Sequence, residues 1–149
     1  MGWQDRHTVI PAVYVLLRQG SKVLLMRRYN TGYADGLYSL PAGHLDGGEP
    51  AKVAMVREIK EETDVVVAPE DLQLAHTMHR LAEEGSHERI DLYFETTKWQ
   101  GEPRIMEPNK CDDIQWFDVS ALPTNIVPVV RQAFDCIASG TNYSEANFT

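Results

Sequence analysis

Glu58, Glu61 and Glu62 lie within one turn or so of each other near the middle of the chain. On a helix these positions are i, i+3 and i+4, so the carboxylates share one face. Like charges so placed destabilise an isolated helix by ~0.2–0.5 kcal/mol for each adjacent pair. Hard divalent cations such as Mg²⁺ take oxygen ligands of this kind, together with waters and phosphate oxygens. A solvated acidic face is the commoner meaning of such a run, and Arg57 is placed to form a surface ion pair with Glu61 worth under ~1 kcal/mol. What sets the run apart is the segment upstream, Gly43-His44-Leu45-Asp46-Gly47-Gly48. A glycine-rich loop lets backbone N–H and C=O groups approach a ligand closely.

The elements that must position these groups are legible in outline. Thr8 to Leu17 is rich in β-formers, Arg18-Gln19-Gly20-Ser21 reads as a turn, and Lys22 to Arg28 as the returning strand. A loop from Tyr29 to Gly36 and a short strand from Leu37 to Leu40 follow. The segment from Gly43 to Gly48 is too glycine-rich for a helix or a regular strand. Pro50 suits the first helical position. Ala51 to Thr63 reads as a helix with Val53, Val56 and Ile59 leaning to one face. Strands are expected at Leu72–Ala82 and Arg89–Lys98, joined by the turn Glu83-Glu84-Gly85-Ser86, and at Ile114–Phe117. A closing helix from near Asn125 to Gly140 would bury Ile126, Val130, Phe134 and Ile137. Strands interrupted by two helices predict an α/β fold, a mixed sheet packed between helices.

The 149 residues are sized for one core and are read as a single domain over 1–149, with 43% hydrophobic and 24% charged residues. The net charge of −8 argues against nucleic-acid polymers and anionic membranes as partners. It also repels a small anionic substrate unless bound cations reverse the sign locally. Cys111 and Cys136 are far apart and in no metal-ligand spacing, which fits free thiols in a reducing compartment. No apolar run reaches the ~18 residues a membrane span needs, so a cytoplasmic protein is expected.

Gly43, five residues, Glu49, seven residues, then Arg57-Glu58-Ile59-Lys60-Glu61-Glu62-Thr63-Asp64-Val65 resembles the Nudix box, G-x5-E-x7-R-E-U-x-E-E-x-G-U with U apolar. All the specified residues match except one, and Ile59 and Val65 fill apolar slots. A chance match somewhere in this chain is on the order of one in 10⁵ or rarer. The departure is Asp64, where the family has glycine; positive φ is expected there, which Asp tolerates better than most residues. Leu40-Pro41-Ala42-Gly43-His44 resembles the Leu-Pro-Gly-Gly segment that leads into such boxes, with Ala42 for one glycine. Gly101-Glu102-Pro103 followed by Glu107, and then Trp116-Phe117, is similar to the MutT-like branch of small nucleoside-triphosphate diphosphatases.

That resemblance implies a Nudix-type α/β/α sandwich and hydrolysis of a nucleoside diphosphate linked to a further group X. A nucleoside triphosphate, ordinary or oxidised, would give monophosphate and pyrophosphate. The second reading is an ADP-ribose or nucleotide-sugar pyrophosphatase, and the third a Nudix-like nucleotide sensor without catalysis. Glu58, Glu61, Glu62 and Glu107, with the Gly43 carbonyl, would hold Mg²⁺ or Mn²⁺. Glu61 and Glu107 are both candidates for the base that takes the attacking water's proton. Arg57 would orient a helix glutamate and Glu49 would brace the loop. The partner implied is a small nucleotide, with room for a homodimer. An isoprenoid-diphosphate isomerase of the family uses a cysteine, for which Cys111 is the one candidate near a site loop.

Around this centre Arg28, Tyr33, His44, Asn109, Asp112 and Asp113 are candidate substrate contacts. Arg28 would meet phosphate, Tyr33 would enclose a base, and the amide and carboxylates would pair with a purine's edge. Arg27 and Arg28 cannot both face one side of a regular strand. For the same reason His76 and His79 point to opposite faces and cannot form a simple metal pair.

Overall fold

The computed structural model describes residues 2–85 and 87–148. Its strands are β1 (Ile10–Gln19), β2 (Lys22–Arg28), β3 (Tyr38–Ser39), β4 (Ala42–His44), β5 (Gln73–Leu81), β6 (Glu88–Thr96), β7 (Cys111–Asp118) and β8 (Tyr143–Ala146). The α-helices are α1 (Ala51–Thr63) and α2 (Pro128–Ala138). One mixed sheet runs β3-β2-β1-β6-β5-β8, with β4 paired to β1 and β7 to β2. β1 lies parallel to β6, Ile10–Leu17 against Arg89–Thr96, while most other neighbours are antiparallel.

β1 is buried on both faces, and its period of two divides it between two cores. Ala12, Tyr14 and Leu16 pack with Val129, Val130, Ala133 and Phe134 of α2. Val13, Val15 and Leu17 pack with Met55 and Ile59 of α1. Helices therefore cover both faces of the sheet, the α/β/α sandwich expected of the sequence. Ile59 is fully buried on α1. Ile59→Ala is expected to lower the free energy of unfolding by about 2–5 kcal/mol, measured by denaturant titration.

The change of partner along one edge of β1 is what opens the site. β1 pairs with β2 only at the hairpin end, Arg18 with Val23 and Gln19 with Lys22. Nearer its start the same edge pairs with β4 instead, Ala12 with His44 and Tyr14 with Ala42. The two halves of the sheet diverge between these pairings, and α1 begins just beyond β4.

Several expectations are corrected. Gly43 and His44 lie in a strand, β4, because the antiparallel partner β1 supplies the ladder that local composition does not favour. β8 follows the helix and pairs parallel to β5, held by His76, whose Nδ1 lies 2.9 Å from the Thr141 carbonyl and Nε2 2.7 Å from Ser144 Oγ. Val53 is 41% exposed, and Ala54, Met55, Ile59 and Thr63 form the buried face of α1. Pro50 takes the N-cap position, one residue ahead of the first helical turn. The β5–β6 turn spans Glu83 to Gly85, and Ser86 lies outside the described residues. No helix among the described residues is long and apolar enough to cross a membrane.

Candidate active site

α1 sets Glu58 and Glu62 against β4 and leaves Glu61 more open to solvent, and the end of the helix fixes their height. Asp64 adopts φ 61°, ψ 24°, the left-handed conformation where the family has glycine. Its backbone N–H closes the helix onto the Lys60 carbonyl at 3.0 Å. Its carboxylate is held by Lys60 Nζ at 2.5 Å and Arg104 Nη2 at 2.9 Å, which offsets the strain of a side chain at positive φ.

Arg57 ties the loop to the helix. Its Nη2 donates to Glu49 Oε1 at 2.7 Å and lies 3.2 Å from Asp46 Oδ2, while Nη1 donates to Glu58 Oε1 at 2.8 Å. Glu61 stands further off, 3.6 Å from Nη1, with its side chain 54% exposed. The hydrogen bond to Glu49, and then that to Glu58, raise the guanidinium's pKa further above its ordinary value against the opposing effect of burial. Glu58 lies against Gly43 so closely that a Cβ at that position would meet its carboxyl carbon at 2.1 Å. Only glycine leaves room for the carboxylate there.

Glu62 is half-buried and accepts a hydrogen bond from the Ala42 N–H at 3.2 Å. Loss of hydration, then the charges of Glu58 and Glu107, pushes its pKa up to about 8. Burial likewise raises that of Glu58 against the opposing pull of Arg57. Glu107 reaches the site from the loop before β7. With Glu62, Arg27, Arg28 and Lys110 it lines a cavity of about 140 Å³. Both Arg27 and Arg28 reach this cavity because the β2–β7 register shifts between them and interrupts the alternation a regular strand would impose.

A larger cavity of about 380 Å³ adjoins the first and shares Arg28, Ser39 and Ala42 with it. Gly43, His44 and Tyr33 also line it. Burial, then the charge of Arg89, holds the His44 imidazole below its ordinary pKa. Tyr33 packs under the Arg28 guanidinium, 5.2 Å from ring centre to Cζ, and donates to Glu83 at 3.0 Å.

The other candidate contacts lie elsewhere. Asn109 is exposed; Asp112 pairs with Arg27 Nε at 2.8 Å; Asp113 accepts from the Tyr38 hydroxyl and from Gln115. None of these three lines either cavity. Cys111 is buried beside the smaller cavity, its thiol turned to the Asp113 carbonyl and its pKa raised by burial. That is the opposite of what an acid–base thiol needs. Sequence reading passed over Arg80 and Arg89, which line the larger cavity, and the buried Asp91 that both engage. The signal was present: Arg80 and Asp91 fall in phase with Met78 and Tyr93, so a charge occupies the inward face of each strand.

The donor set suits a hard divalent cation. Glu62 and Glu107 line the smaller cavity, Glu58 lies against Gly43, and Glu62 accepts from the Ala42 N–H, so α1, β4 and the later loop each bring oxygen donors to this region. As folded, no three acidic, histidine or cysteine side chains among the described residues are already gathered in metal-holding geometry. The Arg57 guanidinium holds Glu58 instead.

Sheet, helix and carboxylates together define the class. A family model described as the NUDIX domain matches residues 8–135, and the chain belongs to that family. Among curated relatives, the NAD-capped RNA hydrolase NudC of Pseudomonas entomophila (strain L48) is 30% identical over 121 residues, 77% of this chain and 38% of the relative. The NudC of Pseudomonas putida (strain GB-1) is 31% identical over 123 residues, with the same coverage. The chain thus spans about two fifths of the length of these relatives. Among solved structures, a MutT NUDIX hydrolase from Burkholderia pseudomallei superposes with a TM-score of 0.79 at 22% identity, over 87% of this chain and 98% of that one. A MutT protein from Bacillus halodurans superposes with a TM-score of 0.72 at 19% identity, over 95% and 91%. These structural likenesses concern the fold.

Proposed function

We propose that this chain hydrolyses the phosphoanhydride of a nucleoside diphosphate linked to a further group, with nucleoside triphosphates, ordinary or oxidised, as the first substrate class. The observation that carries the reading is the half-buried Glu62 carboxylate, set between Glu58 and Glu107 in a cavity that Arg28 also lines. Glu58, Glu61, Glu62 and Glu107, with the Gly43 carbonyl, would hold Mg²⁺ or Mn²⁺. Such ions neutralise diphosphate oxygens and make a bound water nucleophilic near neutral pH.

The remaining work falls to side chains. Arg28 is placed to meet a phosphate from the wall shared by the two cavities. Arg57 fixes Glu58 and, through Glu49 and Asp46, holds the loop against the helix. Glu61 and Glu107 are the two carboxylates open enough to take the proton of an attacking water, with side chains 54% and 40% exposed. His44 and Tyr33 line the larger cavity, where a part of the substrate beyond the scissile anhydride would lie.

A second reading is cleavage of a dinucleotide or nucleotide-sugar anhydride, as in ADP-ribose or NAD. It is favoured by the 380 Å³ cavity beside the carboxylates and by the NudC relatives, named for hydrolysis of NAD-capped RNA. Two readouts separate the readings: pyrophosphate release from deoxy- and ribonucleoside triphosphates and oxidised guanosine triphosphate, and phosphate freed by an added phosphatase from the new monoester ends of ADP-ribose, NAD, nucleotide sugars and NAD-capped RNA. Chelator-sensitive pyrophosphate release from a triphosphate is the expected result. Turnover confined to the dinucleotides or sugars moves the substrate to the second reading. No turnover with Mg²⁺ or Mn²⁺ leaves a nucleotide sensor.

A further inference from the structure

The larger cavity holds charges that hydrolysis at the α1 carboxylates does not use. Arg80 Nε donates to Asp91 Oδ2 at 2.5 Å, and Arg89 Nε lies 3.4 Å from Asp91 Oδ1, so two guanidiniums share one carboxylate. Asp91 is fully buried, and the side chains of Arg80 and Arg89 are only 5% and 14% exposed. Tyr14 accepts from Arg80 Nη2 at 3.4 Å but adds no negative charge. Burial, then the charge of Asp91, raises the phenol's pKa and keeps it neutral. The cluster therefore carries one formal positive charge more than its carboxylate offsets.

Both arginines line the cavity wall. The cavity's other acids stand at the β5–β6 turn, on the solvent side. Glu83 is engaged by the Tyr33 hydroxyl, and Glu84 is 58% exposed and 3.7 Å from His87 Nδ1. Solvent screens charges so placed, whereas the arginines act across a low-dielectric wall. A buried charge in excess calls for a counter-charge, and guanidinium pairs bind phosphate and carboxylate by paired N–H donors.

We propose that this cavity is a subsite for a second anionic group of the substrate, a phosphate or carboxylate carried beyond the scissile anhydride. The inference rests on the hydrolase reading and narrows its substrate class. The competing account is a structural cluster that joins β5 to β6 and meets no ligand.

Matched substrates separate the two. NAD and NADP differ by one phosphate, and UDP-glucose and UDP-glucuronate by one carboxylate in place of a hydroxymethyl group. In the wild type, the more anionic member of at least one pair is expected to show a KM at least ~10-fold lower at similar kcat. Which pair shows it identifies the source as phosphate or carboxylate. Arg89→Gln is expected to erase the preference, and Arg89→Lys to restore part of it because charge returns without the planar fork. The wild-type comparison needs no variant, so a misfolded Arg89→Gln leaves the test intact. Absence of preference in both pairs overturns the proposal. So does a preference that survives Arg89→Gln, or a lowered Tm with an unchanged selectivity ratio. Calorimetric binding of the same pairs reads selectivity without turnover. If nothing is hydrolysed, the hydrolase reading falls while the subsite is still decided.

Discussion

Glu62→Gln is expected to lower kcat/KM on the best substrate by at least ~10²-fold while making the cation-free protein more stable. Both effects have one cause. The Glu62 carboxylate is stripped of much of its hydration and sits near two other glutamates, and its pKa is pushed up to about 8. Glutamine keeps the shape and can still accept from the Ala42 N–H, but it carries no charge to stabilise a cation. The sign of the stability effect follows from linkage. The folded-state pKa is raised, so the carboxyl's contribution is full below its ordinary value of 4.5 and is lost as pH rises through about 8. The stability gap between Glu62→Gln and wild type, read by denaturant melts in chelator, should therefore widen across that window. Divalent cation should close the gap by binding the wild type alone. An unchanged turnover rate would remove Glu62 from the chemistry. A gap that does not vary with pH would mean the carboxylate is hydrated in solution.

Gly43→Ala should abolish most activity, again by at least ~10²-fold, with the fold retained. The backbone of Gly43 is not in the positive-φ region, so alanine meets no conformational penalty there. The conflict is with space: the new methyl would lie 2.1 Å from the Glu58 carboxyl carbon and 2.5 Å from Oε1. Those atoms are the far end of a flexible side chain, which swings aside at little cost to the fold. The carboxylate then leaves the face it shares with Glu62. Circular dichroism and melting should match the wild type closely, while pyrophosphate release falls. A variant that unfolds would show that β4 cannot give way, and one with full activity would mean Glu58 is not needed where it stands.

Much of this site could be read along the chain because its parts are local. The spacing of Glu58, Glu61 and Glu62 is a property of one helix, and a helix of fixed pitch turns sequence separation into geometry. The same holds for positive φ at Asp64, a consequence of how a helix ends. A run of β-formers from Thr8 to Leu17, a turn and a returning segment marked β1 and β2 as strands before any other partner was known. What failed was what depends on a partner. β4 is a strand because β1 offers it a ladder, though Gly43 weakens it locally. β8 is a strand because β5 has a free edge and His76 reaches across to hold it. Asn109, Asp112 and Asp113 are close to Glu107 in sequence, yet the β2–β7 pairing hands Asp112 to Arg27 and Asp113 to Tyr38.

The sequence by itself determined the family, the helix with its glutamates and the kind of chemistry those carboxylates can support. The tertiary structure alone decided how the loop meets the helix and what lines the space beyond it. Arg57 reaches back to Glu49 and Asp46, and Glu58 fits only where Gly43 has no side chain. Arg80, Arg89 and Asp91 come from two strands whose register sets Arg80 opposite Arg89 and Asp91 two residues along. Periodicity can say that a residue faces inward, but only the pairing of strands says which charges it will meet there.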